Sequence, residues 1–467
     1  MWENDEQNLY YVGVFNVLDE QISGQIVYNK KNGLIMLNLI KELKEKSIFG
    51  RSYGTIEVIT GRLNSGATVT LFNNRCANNH TQAFQAQQLN FVADYMIWAN
   101  EERVESKYNK MVCILKNAYE WSGLSAFEEQ DLAVKVKEEP EIKTYNWFGA
   151  KISFSTYLNN WLFVPSRNEE TTIIQRLILE IEVEGKSDIN ELISVRNKII
   201  SLISFAIKNN VNIEEEYLYD YDETYVIAND LTDFRKYYLI TSDIQRDTLG
   251  TRRWEYNFKL EQLPDNNDIN NQLIKLEPIF NLYLSLFKYR DMPQEMIFLN
   301  IVQALETFHS RFFYDDKKKK YIESVTERFG AAKNFEKYEK LLLSDTQKDE
   351  NCNYIILVSR LNDLLIGKDD GLFWEYYWED DEYAQKIADT RHYYTHYGKS
   401  KEKKALKGED LAEAIFVLRV LLEYHICLVL GIDNRQQITH ELGNHYAWRQ
   451  LSESQSQKTK NSIKALD

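Results

Sequence analysis

Asp389-Thr-Arg-His-Tyr-Tyr-Thr-His-Tyr-Gly-Lys399 is the stretch on which the reading of this chain turns. Ala384, Ile387 and Ala388 mark an apolar helical stripe before it, and Arg391 and Tyr394 continue that stripe in steps of three. Arg391 is therefore expected in a partly buried position. A guanidinium there requires an anion, since burying it alone costs several kcal/mol. Arginine holds a carboxylate or a phosphate through paired hydrogen bonds. His396 adds a group that titrates near neutrality and suits proton transfer. RNA can be cut without a metal when a base takes the 2′-hydroxyl proton and a cation stabilises charge on the phosphorus oxygens. The RNA supplies its own nucleophile, so no activated Ser or Cys is required.

Around this stretch the pattern is helical from about residue 270. Candidate helices cover Leu273–Phe287 with Pro278 in its first turn or splitting it, Pro293–Phe312, Lys333–Leu343, Cys352–Leu365, Glu382–Tyr397 and Leu411–Leu430. Asp410 with Glu413 is expected to cap the last, and Gly431 to end it. Short connections between them make an α-bundle. Residues 8 to about 185 read instead as strands. Leu179, Ile181 and Val183 interleave with Glu180, Glu182 and Glu184, the mark of an antiparallel sheet with one wet face. Thr55–Thr60 and Ala67–Phe72 flank Gly61–Gly66 as a hairpin, and a helix is expected over Asp188–Lys208 with Asp188 and Glu191 as a capping box. The fold class is α+β, divided into a β-rich region 1–265, a helical domain 270–435 and a polar tail 436–467.

Composition narrows the function. The 467 residues are too many for one ordinary core. A net charge of −15 argues against a general nucleic-acid coat, though not against a local basic pocket. No run approaches the roughly 20 apolar residues of a membrane span, and the Trp-Glu-Asn-Asp-Glu opening is not a signal peptide, so a cytoplasmic protein is expected. Cys76, Cys113, Cys352 and Cys427 lie far apart and read as reduced thiols.

Arg391-His-Tyr-Tyr-Thr-His396 resembles the R-x(4–6)-H signature of HEPN ribonucleases. Asn300-Ile-Val-Gln-Ala-Leu-Glu-Thr-Phe-His309 resembles the first helix of the Apea-like branch, in which an acidic residue faces the motif; Glu306 is the matching position. Tyr11-Val-Gly-Val-Phe15, Gly24-Gln-Ile-Val-Tyr28 and Gly33-Leu-Ile-Met-Leu37 resemble the start of the ApeA N-terminal domain. The resemblance covers about residues 8–430. It implies a bacterial anti-phage defence ribonuclease of the abortive-infection type. Its substrate would be RNA, with tRNA expected, and its catalytic pair Arg391 and His396, without a cofactor. Where many relatives carry Asn or Asp after the arginine, this chain has His392, which would take over that positioning role. Tyr393 and Tyr397 are candidates for stacking on bases, and Lys399 for meeting the RNA backbone. The β-rich region would be the sensor for a phage-derived trigger.

Residues five apart lie about 140° around a regular helix. Arg391 and His396 therefore converge only if the helix distorts near Gly398 or if two chains pool their motifs. HEPN enzymes resemble the second case, so a homodimer is expected. Two other readings stand beside this one. One is a non-catalytic HEPN dimer that senses or binds. The other is a metal-dependent hydrolase using His392 and His396, whose i,i+4 spacing can chelate.

Overall fold

The computed structural model describes residues 8–18, 20–29, 33–42, 54–82, 86–99, 107–130, 133–137, 141–159, 174–220, 235–241, 256–265, 268–288, 291–313, 357–366 and 382–445. The helix expected over Lys333–Leu343, residues 352–356 and the tail after 445 lie outside them. Two compact units divide the chain: one takes Met1–Ile203 and Asn209–Thr251, the other Ser204–Lys208 and Arg252–Asp467.

The first unit begins with a closed barrel. Strands β1 (Asn8–Val17), β2 (Glu20–Asn29), β3 (Leu34–Glu42), β4 (Thr55–Leu63), β5 (Thr68–Gln82) and β6 (Ala86–Ala93) pair antiparallel in the ring order β1-β2-β3-β6-β5-β4. Closure removes the exposed edges that an open sheet would leave. Phe15, Ile26, Ile35, Leu37, Ile59, Leu71, Leu89 and Phe91 fill its interior. Gly61, expected in a loop, lies within β4 opposite Phe15; a Cβ there would stand 2.4 Å from the Phe15 ring, so glycine makes room for the filling side chain.

β5 pairs with β4 along one edge and divides its other edge between two strands. Thr68–Phe72 pairs with β7 (Tyr95–Ala99) and Arg75–Gln82 with β6. The change falls at Asn73, whose φ is 55°, and the adjacent buried Asn74 binds the Leu71 and Ile56 carbonyls at 2.9 and 3.1 Å. From β7 a second antiparallel sheet runs through β15 (Arg235–Thr241), β14 (Ile213–Asp220), β8 (Lys107–Leu115), β13 (Ile174–Asp188), β12 (Ala150–Asn159) and β11 (Lys143–Trp147). Leu177, Leu179 and Ile181 of β13 are fully buried, as the alternation requires, while a register shift between Glu182 and Ser187 leaves Val183 half-buried. β9 (Phe127–Gln130) and β10 (Ala133–Val136) form a separate ribbon, and α1 (Tyr119–Ser122) is a single turn. α2 (Ile189–Ala206) starts at Asp188, whose carboxylate accepts the Asn190 N–H at 2.8 Å. Its Arg196 makes a buried ion pair with Glu216 of β14.

The second unit is a helical bundle of α3 (Ile269–Lys288), α4 (Gln294–Phe312), α5 (Leu357–Ile366), α6 (Tyr383–His396) and α7 (Glu409–Val429). α4 packs on all four of the others. α3 starts earlier than the sequence pattern suggests, so Pro278 lies mid-helix without breaking it. Proline deprives the carbonyl four residues back of its donor, and Ile274 there is half-exposed. Asp410 does not cap α7: Gly408 is the cap, and Glu409 and Asp410 occupy the first turn, where the helix dipole favours them. Gly431 ends the helix with φ 76°. Residues 435–445, placed by sequence at the start of a polar tail, are helical, with Ile438 and Leu442 fully buried. Among the described residues no helix is long and apolar enough to cross a membrane.

A charge cluster lies inside this bundle. Glu423 of α7 has no exposed surface; Lys208 approaches it at 2.9 Å and Tyr283 of α3 donates to it at 2.6 Å. Lys208 also meets Glu441 at 2.7 Å, and Arg419 meets Glu441 at 2.8 Å. Burial pushes the Glu423 carboxyl up, but the charges of Lys208 and Arg419 and the Tyr283 hydrogen bond outweigh it and hold the group below its ordinary value. Glu423→Ala leaves buried Lys208 with Glu441 alone and the buried Tyr283 hydroxyl without its acceptor, so it should lower stability by about 3 kcal/mol in denaturant melts; a loss under about 1 kcal/mol would show Glu423 to be dispensable. His425, buried against the Leu364 carbonyl at 2.7 Å, is pushed down to about 4 by desolvation. Between pH 6.5 and 4 the unfolded chain then binds the extra proton, so stability falls on acidification by about 3 kcal/mol across that window. In His425→Asn the slope over this window should flatten.

Candidate active site

α6 carries the motif, and its buried face explains why it is a helix there. Ala384, Ile387 and Tyr394 are buried, with Tyr394 set edge-on to Phe298 of α4 at 6.4 Å. Two polar residues join that face, Asp389 and Thr390. Neither was marked by the apolar pattern, because both bind the segment that follows the helix. Asp389 receives Lys401 at 2.5 Å and Gln385 at 3.0 Å, and Lys404 stands 3.8 Å away. Thr390 accepts the Leu406 N–H at 3.0 Å, and the Tyr394 hydroxyl donates to the Leu406 carbonyl at 2.9 Å. Burial raises the Asp389 carboxyl, but the hydrogen bonds from Lys401 and Gln385 and the nearby ammonium charges bring it below its usual value. The lysine-rich loop is thus tied to α6; the only advance signal was its proximity in sequence to an acidic residue in the motif.

Arg391 lies beside this face, half-exposed, with Nη2 3.5 Å from Oε2 of Glu306 on α4. Its side chain keeps 41% of its surface and that of Glu306 27%, so the pair is accessible to solvent and ligand. A pair this exposed contributes at most about 1 kcal/mol. His392 and His396 are exposed, one turn apart, with ring centroids separated by 4.9 Å. Among the described residues no third His, Cys, Asp or Glu joins them in a cluster. Tyr393 stands under Lys407, whose Nζ is 5.3 Å from the ring, and packs on Tyr397 at 5.4 Å. Tyr397 is the more open ring, with 65% exposure and a left-handed φ of 49°. Lys399 is exposed.

The structure brings together Arg391 with Glu306, and His392 with His396, but sets the two groups on different sides of α6. The helix keeps ordinary backbone angles through His396 and turns left-handed only at Tyr397. No distortion therefore swings His396 toward Arg391, and the angle of about 140° between them stands. One chain offers a guanidinium with a carboxylate on one side of the helix end and two imidazoles on another. The first can bind and stabilise an anion, and the second can move protons.

The Asp389 anchor has a measurable consequence. Asp389→Ala should free the loop from Gly398 to Leu406, so that trypsin cuts after its lysines at least several-fold faster while the rest of the bundle resists as before. Unchanged loop cleavage would mean that Thr390 and Tyr394 hold the segment without it.

Residues 10–272 match the family model described as ApeA N-terminal domain 1, and residues 299–436 match the one described as Apea-like HEPN. No curated protein and no solved structure matches the chain.

Proposed function

Because the chain belongs to the ApeA family, with an ApeA N-terminal domain followed by an Apea-like HEPN domain, we propose that it is a defence-associated endoribonuclease. Its substrate is RNA, with tRNA the expected class, cut by attack of the RNA's own 2′-oxygen. The observation that carries this reading is the end of α6, which presents an accessible guanidinium on one side and an exposed imidazole on another, both inside the HEPN match. His396 takes the 2′-hydroxyl proton, and the 2′-oxygen bonds to phosphorus. The bond to the 5′-oxygen breaks, and that oxygen leaves with a proton taken from water. Arg391 holds the phosphate oxygens as charge develops on them, the role for which a permanently charged planar cation is suited. His392 supports the pair from its place beside His396, Tyr397 offers a stacking face, and Lys399 a backbone contact.

The fixed angle on α6 supports a composite cleft: Arg391 of one chain works with His396 of a second copy. The β-rich domain is then the sensor, whose trigger is a phage component. Holding about 99% of molecules off and releasing 99% requires the trigger to favour the active state by about 5.5 kcal/mol. The imidazole pair keeps a second reading in view, a metal-dependent hydrolase built on His392 and His396, and a non-catalytic HEPN dimer is the third.

Three measurements separate these readings. Cleavage products should end in 2′,3′-cyclic phosphate and 5′-hydroxyl, and a 2′-deoxy substitution at the cut should block the reaction; 5′-phosphate ends would sink the mechanism. EDTA should leave the rate unchanged, whereas its abolition would favour the metal reading. Arg391→Ala and His396→Ala should each lower cleavage at least about 100-fold, the scale of losing a general base or an electrostatic stabiliser. Mixed together, the two dead variants should regain about a quarter of wild-type activity, since half the dimers then hold one intact composite site. No recovery would place both residues of each site in one chain.

A further inference from the structure

Among the described residues, helix α5 meets its neighbours through polar contacts at positions 360, 363 and 364, and the first two fall on the turn of α4 that carries Glu306. Arg360 donates to the Glu306 carbonyl at 3.4 Å. One turn later Asp363 lies 2.8 Å from Nε2 of His309. The next carbonyl, that of Leu364, meets His425 of α7 at 2.7 Å. Positions 360, 363 and 364 share a helix face, as do 306 and 309 on α4.

The middle contact is unlike a packing contact. His309 has no exposed surface, the side chain of Asp363 keeps 14% of its surface, and the Nδ1 atom of His309 has no hydrogen-bond partner among the described residues. Phe313 stacks on the imidazole at 5.8 Å. An apolar pair of similar volume could fill such a place at no loss of stability. What a directional buried contact adds is register, because slipping one helix against the other leaves polar atoms unpaired. Glu306 needs that register. Its pair with Arg391 is exposed and too weak to order two side chains on its own. The place of its carboxylate is therefore set by the α4 backbone, and that backbone is clamped by α5.

We propose that Asp363 and Arg360 are positioning residues for the RNA-cleavage site: through His309 and the Glu306 carbonyl they fix the Glu306 carboxylate, which aims the Arg391 guanidinium. The inference rests on the ribonuclease reading of that site. A displacement of about 1 Å at a catalytic group can cost 100-fold in rate.

Asp363→Ala should lower kcat about tenfold or more while KM stays within about twofold, because Arg391 keeps its charge and loses only its aim. In a Glu306→Gln background the same substitution should change kcat less than about twofold, since the group it positions is already gone. Asp363→Asn, which keeps a hydrogen bond to His309, should recover most of the rate. Equal losses in both backgrounds would overturn the proposal and leave Asp363 a packing residue. If Asp363→Ala does not fold, Arg360→Gln is read by the same two comparisons. The Arg391 Nε–Hε resonance, assigned with Arg391→Lys, gives a readout independent of cleavage: it should move in Asp363→Ala as it does in Glu306→Gln. A full-length wild type that cuts no RNA with or without trigger would sink the ribonuclease reading, while an unmoved resonance would sink the positioning role.

Discussion

Glu423 has no access to water, and the helical unit is arranged around that fact. An uncompensated carboxylate in an apolar interior is prohibitive, so the fold must deliver cations and donors to it. They come from four separate parts of the chain: Lys208 from the short 204–208 segment, Tyr283 from α3, Arg419 from α7 itself, and Glu441 from residues 435–445 to balance the two cations. Of these partners Arg419 alone lies within one turn of Glu423 in sequence. Assembling them fixes how α3, α7 and the last helical segment meet. From Glu423 the order propagates by further polar contacts. His425, two residues on, holds the Leu364 carbonyl of α5, and the adjacent Asp363 holds His309 of α4. One turn before His309 stands Glu306, which faces Arg391. A series of buried polar contacts thus leads from the middle of the bundle to the half-exposed guanidinium at the end of α6.

How much of this could be read in the sequence depends on whether a residue's role is local or distant. Strand β13 was legible because Leu179, Ile181 and Val183 alternate with Glu180, Glu182 and Glu184; burial follows that period at Leu179 and Ile181 and lapses at Val183, where the register shifts. α4 and α7 were legible from their apolar stripes and from Pro293 and Gly431 at their ends. Barrel closure was not, because it depends on β5 pairing with β7 in its first half and β6 in its second, a switch marked only by an asparagine at φ 55°. The capping of α7 was misread because an acidic residue near a helix start satisfies the dipole equally well at the cap or in the first turn.

The site shows the same division. Arg391, His396 and Glu306 were singled out by motif spacing and resemblance, and of the contacts expected among them the structure has Arg391 beside Glu306. Asp389, Thr390 and Asp363 were not identified, since each owes its importance to a partner 12 to 54 residues away. His309 gave no signal at all: a histidine inside an apolar helix looks the same in sequence whether it is a spacer or one half of a buried contact. Polar residues on an apolar face are informative only once their partners are known.

That contrast in burial separates two kinds of ion pair in the bundle. Lys208 with Glu423 is locked: both are buried, each satisfies the other, and exchange with a ligand would require opening the core. Arg391 with Glu306 is the opposite case. Its geometry is long at 3.5 Å, both partners touch solvent, and an exposed carboxylate returns little free energy for holding the guanidinium. A phosphate offers Arg391 paired, charge-assisted hydrogen bonds that this single long contact does not. On the proposed ribonuclease reading, the guanidinium passes from carboxylate to phosphate at small cost, with Glu306 limiting where it points beforehand. The buried pairs keep the frame rigid, and the exposed pair is the part of it that can be exchanged.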